Sequence, residues 1–186
     1  MRNNKDFKSI LELIYDTVTY ISPSVIKCEN RDEVLVAIPK ERSIIRLYSR
    51  CKEPIFNQIL TPDGQRPATM IKHEGGTILV SELTSKVVKQ FDYILYITYI
   101  DGESAYLTSP ILDGSTRWFV QYNFNKSKIT NMLKITDYGF YRTEKSTKIC
   151  VKAVNDEAST EYMVESNGRL RKIKAKLLIS ENFWTF

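Results

Sequence analysis

The spacing of apolar positions changes partway along the chain. Over residues 5–20, Phe7, Ile10, Leu11, Ile14 and Val18 recur at helical intervals, which predicts an amphipathic helix with one face against the rest of the protein. Ser22-Pro23-Ser24 ends that pattern, because proline cannot continue a helix and pushes its predecessor toward extended geometry. From Val25 the period falls to about two. Residues 25–28, 34–38 and 43–48 are short β-branched runs between polar turns and predict a meander. Residues 51–60 are ambiguous, with a short helical turn as one reading. Residues 61–67, two prolines around Asp63-Gly64, predict a loop.

Further on, three strand-like runs (93–100, 105–112 and 117–124) are separated by Asp101-Gly102 and Asp113-Gly114. Asp-Gly between such runs is a strong hairpin signal, because the tight turn needs positive φ at its centre, so a three-stranded antiparallel unit is expected. In 93–100 both alternating sets are mostly apolar, which predicts a strand near a sheet centre, covered on both faces. Residues 161–165 and 169–179 flank Asn167-Gly168; a two-residue turn there sets Glu161 opposite Lys174 and Tyr162 opposite Ile173. A strand is expected at 148–154, and 129–135 reads as either helix or strand. No repeat of constant period and no linker stand out. The expected fold is therefore one α+β domain over residues 1–186, mainly antiparallel β with an N-terminal amphipathic helix and a seam near residue 125.

Composition narrows the class. Hydrophobic residues make up 42% and charged residues 26%, the proportions of a folded globular domain, which excludes wholesale disorder. No apolar run approaches the roughly 18 to 20 residues that span a bilayer, and the first residues lack a signal peptide's apolar core, so no membrane association and an intracellular or virion location are expected. Twenty Ile, 17 Lys, 11 Tyr and 10 Asn against 6 Ala is the bias of AT-rich codons, as in a phage, another virus or a low-GC bacterium. Cys28, Cys51 and Cys150 fit neither a disulfide framework nor a zinc site and read as reduced, mostly buried thiols. Net charge is +5, and the excess sits in residues 123–186, with 12 basic and 7 acidic side chains. That permits a polyanionic partner without requiring one.

The chemistry the sequence offers is sparse. One histidine, His73 beside Glu74-Gly75-Gly76, reads as a solvated loop residue and leaves at most one imidazole for acid–base work. The phosphate-binding loop, the dinucleotide glycine fingerprint and the serine nucleophile elbow are all missing. Asp92, Asp101 and Glu103 lie around one strand and its turn, and an acid–metal hydrolase is a third-ranked reading behind plain turn residues. No catalytic, cofactor-binding or metal-binding residue is assigned.

Surfaces carry more weight. Arg169, Arg171, Lys172, Lys174 and Lys176 fall on a strand that would place Lys172, Lys174 and Lys176 on one face about 7 Å apart, comparable to successive phosphates. An edge strand guarded by lysines is the plainer reading. Lys126 and Lys128 follow an aromatic run in which Trp118, Val120, Tyr122 and Phe124 share a face without charge, which favours core or interface over base stacking. The aromatic ending, with Phe183, Trp184 and Phe186, is expected to dock on its own core or in another chain. These features predict a non-catalytic structural or assembly protein acting through protein partners or self-assembly, such as a virion component. The alternative is a sequence-independent nucleic-acid binder using the basic strand.

Overall fold

The computed structural model describes residues 3–47, 52–112, 114–155, 158–173 and 183–184. The fold is mainly antiparallel β, and its helical part is minor: among the described residues, one short helix, α1 (Asn3–Ile14). Two compact units divide the chain, Met1–Leu95 and Tyr96–Phe186.

The first unit holds two four-stranded meanders. One consists of β1 (Thr17–Ser22), β2 (Val25–Asn30), β3 (Glu33–Ile38) and β4 (Ser43–Leu47), paired in chain order. The other consists of β5 (Ile55–Ile59), β6 (Ala68–His73), β7 (Gly76–Ser81) and β8 (Lys86–Phe91), again in chain order. Period-two alternation explains the layering. Val25, Val36, Ile38 and Leu47 leave the first sheet on one face and meet Ile71, Ile78 and Val80 of the second. Ile26, Cys28, Leu35 and Ala37 leave on the other face and meet Leu11 of α1. Ile26 stands opposite Ala37 and Cys28 opposite Leu35, so the register brings like with like on the helix-covered face.

The helix is shorter than its pattern predicts. It ends at Ile14, and Val18 belongs to β1, where Thr17, Val18, Thr19 and Tyr20 pair with Glu29, Cys28, Lys27 and Ile26. Strand-favouring β-branched residues and a ladder partner outweigh the apolar spacing there. The buried stripe also differs: Leu11 is fully buried with Phe7 and Tyr15 packed beside it, while Ile10 and Ile14 are exposed. The ambiguous stretch before Leu60 forms strand β5. His73 ends β6 opposite Gly76 in a tight hairpin rather than in a loose loop, and its Nδ1 accepts the Gly75 N–H at 3.2 Å.

The second unit is built from β9 (Tyr96–Ile100), β10 (Ser104–Thr108), β11 (Arg117–Asn123), β12 (Lys128–Arg142), β13 (Thr147–Asn155), β14 (Ala158–Val164) and β15 (Leu170–Lys172), each paired with the next. Strand β12 is shared. Its first half pairs with β11 up to Ile135, and from Ile135 onward it pairs with β13, with a register break between Ile135 and Asp137. The ambiguous 129–135 segment is thus strand, and residue 125 lies in the turn between β11 and β12. Tyr106 and Phe119 pack with Ile135, Ile149, Val151 and Val164, the core of this unit.

The three-stranded unit β9–β10–β11 forms as expected, but its first strand is not central. Strand β9 ends the sheet, and Tyr96 is 51% exposed and Ile97 37%. Apolarity on both faces predicts burial on both faces; here it belongs to a strand at the edge of the sheet among the described residues. The first turn is also displaced by one residue. Asp101 pairs with Ser104 around Gly102-Glu103, and Gly102 does not take positive φ. Asp113 lies outside the described residues; Gly114 takes φ +64 in a longer connection.

Candidate functional site

The sheet's polar end fixes the C-terminal hairpin. Ser104, Gln121, Asn123 and Asn131 project from β10, β11 and β12, with Gln121 and Asn123 buried. Gln121 Nε2 donates to the carbonyls of Glu165 (2.9 Å) and Ser166 (3.2 Å), and Gln121 Oε1 accepts from Asn131 Nδ2 at 2.7 Å. Asn123 Nδ2 and Ser104 Oγ donate to the Ser166 carbonyl, and Asn131 Nδ2 also donates to that of Gly168. Turn carbonyls that would otherwise lose water on burial are thereby satisfied.

That turn has three residues between its flanking pair, not two. Glu165 N–H donates to Arg169 O, Gly168 N–H donates to Glu165 O, and Gly168 takes φ +95. This is a type I turn closed by a left-handed glycine. The extra residue moves the register by one, so Tyr162 faces Lys172 instead of Ile173. A one-residue slip exchanges faces. Arg171 and Ile173 therefore lie over Met163 and Cys150, with Arg171 Nη2 2.9 Å from Met163 Sδ, while Leu170 packs toward the core.

The expected basic residues are only partly gathered. Arg169, Arg171 and Lys172 are exposed on β15 and its turn, and β15 ends the sheet among the described residues. Lys174 and Lys176 lie outside the described residues. Lys126 joins the cluster, its Nζ donating to the Asn167 carbonyl at 2.8 Å, and Lys128 is exposed at the start of β12. The aromatic face beside them is core: Val120 and Tyr122 are fully buried and Phe124 nearly so. At the C-terminus, β16 (Phe183–Trp184) pairs its backbone with Tyr141 and Phe140 of β12, which gives that end of the chain a seat on its own sheet. Phe186 lies outside the described residues.

Two of the clefts lined by described residues open on the second unit. The smaller, about 310 Å³, is lined by Asp101, Glu103, Glu165 and Lys148 among others. Asp101 is engaged in structure: Oδ1 accepts the N–H groups of Glu103 and Ser104, each at 2.7 Å, and Oδ2 accepts the Tyr106 hydroxyl at 2.7 Å. Burial, then that bond, pushes the Tyr106 phenol far above its ordinary value. Asp92 belongs to the first unit, and among the described residues no three His, Cys, Asp or Glu gather closely enough to hold a metal ion. Burial raises both the Cys28 and the Cys150 thiol to about 11, Cys150 with help from Glu161, which keeps them protonated and poorly nucleophilic near neutrality. Cys51 lies outside the described residues. Burial lowers the His73 pKa.

The larger cleft, about 490 Å³, runs along β9 and is walled on its far side by Tyr138, Phe140 and Arg142 of β12. Tyr99 and Phe140 meet edge to face at 5.7 Å, as do Phe140 and Tyr138 at 6.3 Å, and the Arg117 guanidinium stands 5.6 Å from the Tyr138 ring centre. Sequence reading did not single out this wall. Its signal is present, since Tyr138, Phe140 and Arg142 recur every second residue and so share one face of a strand.

No family model matches the sequence, and no curated protein matches it. Among solved structures, the hydrazine synthase of Kuenenia stuttgartiensis is similar at 13% identity and a TM-score of 0.33, over 81% of this chain and 46% of that one. The chain thus spans less than half of that protein's length, and so slight a likeness carries no conclusion.

Proposed function

We propose that this protein is a non-catalytic assembly component that joins a protein partner by strand pairing at β9. One observation carries the reading: β9, Tyr-Ile-Thr-Tyr-Ile, is an uncharged edge with Tyr96 and Ile97 exposed, and among the described residues it pairs only with β10. An edge strand is a template for a further strand, and proteins ordinarily blunt it with charge or cover. Four of the other edges among the described strands have such devices, while β5 is uncharged as β9 is. Strand β8 carries Lys86 and Lys89, β15 carries Arg171 and Lys172, and β4 carries Arg46. At β1, Lys8 of α1 lies over the Tyr20 ring and Gln58 of β5 donates to the Ile21 carbonyl. The AT-rich composition suits a virion component.

A photo-crosslinker at position 97, expressed in the native source, should capture a protein neighbour. Ile97→Lys should abolish that association, at least about tenfold in affinity, while circular dichroism and melting temperature stay close to wild type, since the side chain is on the surface. A chain that stays monomeric and captures nothing at position 97 refutes the proposal.

A second reading, sequence-independent nucleic-acid binding, is favoured by the exposed cations Arg169, Arg171 and Lys172 and by Lys126 held at the same hairpin turn. Affinity for a single-stranded oligonucleotide should then fall steeply with salt. Changing Lys172, Lys174 and Lys176 together to Gln should lower the slope of log affinity against log salt by up to about three units. Absence of salt-sensitive binding at low ionic strength eliminates this reading.

A further inference from the structure

Asn167-Gly168 is the one Asn-Gly pair in the sequence. Such a pair is labile in a chain that is free to move, because a glycine nitrogen has no side chain beside it to crowd its attack on the asparagine side-chain carbonyl. In the fold, the atoms this attack needs are held. Gly168 N–H donates to Glu165 O at 2.9 Å, so the attacking nitrogen keeps its proton in a hydrogen bond. The Asn167 side-chain oxygen accepts Arg169 N–H at 2.9 Å. The main-chain carbonyls of the pair are tied as well, that of Asn167 by Lys126 Nζ and that of Gly168 by Asn131 Nδ2, each at 2.8 Å. Gly168 takes φ +95 and packs so closely on Thr130 that a Cβ would lie 2.7 Å from the Thr130 Cβ, which leaves the backbone no room on that side. Asn167 itself is exposed, so water reaches it. The site is open to solvent and closed by geometry.

We propose that Asn167 is a spontaneous deamidation site held in check by the β14–β15 turn, and that its conversion is a one-way release of the basic hairpin. In the opened turn Gly168 N gives up its proton to solvent base and bonds to Asn167 Cγ. The Cγ–Nδ2 bond breaks, and Nδ2 takes a proton from solvent and leaves as ammonia. Water then opens the resulting cyclic imide at either carbonyl, to aspartate or to isoaspartate. Both products place a carboxylate beside Lys126 and Arg169, where the folded turn has a neutral amide. Isoaspartate also sends the main chain through an additional methylene, which moves Gly168 N–H away from Glu165 O and breaks the turn. Refolding does not reverse a covalent change. Because the open turn is the reactive form, the rate follows the population of local opening rather than of global unfolding. Gln121, Asn123 and Asn131, whose amides hold the turn carbonyls, are thus positioning residues that set this rate.

The test follows Asn167 by peptide mass mapping at mildly alkaline pH, where exchange of ammonia for water raises the mass of the peptide that carries it. Wild type should convert at least about tenfold more slowly in native buffer than in unfolding urea, and urea below the unfolding transition should already raise the rate. In native buffer Gln121→Leu should convert at least about tenfold faster than wild type. Should that variant fail to fold, the urea series on wild type decides alone. The isoaspartate form, isolated by chromatography, should lose amide protection at Arg169 and along the β14–β15 ladder while β11 keeps its own. Equal rates in native buffer and in unfolding urea, or no conversion in either, would overturn the guarded site. An isolated product with the hairpin as protected as in wild type would overturn the release.

Discussion

Gly76→Ala should destabilise the first unit by on the order of 4 kcal/mol, whereas Gly64→Ala should cost only about 1–2 kcal/mol. Both glycines hold positive φ, +129° at Gly76 and +83° at Gly64, so both substitutions carry the backbone strain of an L-residue in that region. They differ in surroundings. A Cβ at Gly64 meets nothing within 4 Å, while one at Gly76 would lie 1.9 Å from the Phe91 carbonyl oxygen and 2.9 Å from the Tyr93 nitrogen. Those are backbone atoms and cannot rotate away. Phe91 is held opposite Thr77 in the β7–β8 ladder, and the Thr77 hydroxyl donates to the Tyr93 carbonyl and accepts the Leu95 N–H, each at 2.9 Å. Relief requires β7 to move away from the segment after β8, with loss of ladder bonds. Urea unfolding of the two variants measures the difference, and equal losses would show that the close approach contributes nothing.

The same hairpin illustrates what the sequence conveys. Glu74-Gly75-Gly76 reads as a flexible connection because three small or polar residues carry no periodicity; in the fold, the second glycine is required by a backbone contact 15 residues away in the chain. Local alternation was enough for β2, β3 and β4, because their faces meet two different apolar layers, α1 and the second sheet. It was not enough for the end of α1. There Val18 continues the helical spacing and still packs with Leu11, but from a strand. Spacing alone does not distinguish these two ways of reaching one cluster.

The candidate site was legible in a similar, partial way. The basic hairpin is legible from Asn167-Gly168 and its charges, yet its faces are exchanged because the turn has one residue more than the dipeptide suggests. Strand β9 is legible in the sequence, but its place in the sheet is not. A run that is apolar on both faces describes a strand covered by its own chain and equally one that awaits cover from another, and the choice depends on which strands lie beside it. The wall of Tyr138, Phe140 and Arg142 becomes a site only because the long strand β12 brings it across the cleft from β9, a juxtaposition with no local signature.

Gln121→Leu should cost about 3–5 kcal/mol and release the 165–168 turn, although it places an apolar side chain in a buried position. The amide of Gln121 is fully engaged: Nε2 donates to two turn carbonyls and lies 3.2 Å from Ser104 Oγ, and Oε1 accepts from Asn131. Leucine removes these bonds and leaves the Glu165 carbonyl without that donor in a place built to exclude water. Each such buried group costs about 1–3 kcal/mol, and a network cut in one place loses more than one bond. The effect is directional. Asn123, Asn131 and Lys126 still hold the other turn carbonyls, so the hairpin should loosen before the sheet unfolds. Amide exchange should therefore rise first at Gly168, Arg169 and the β14–β15 ladder, ahead of β11. If the basic strand is the working surface, oligonucleotide affinity falls with it; if β9 is, partner capture at position 97 survives. Uniform loss of protection across the unit, or none at the turn, would mean that Gln121 does not hold the hairpin.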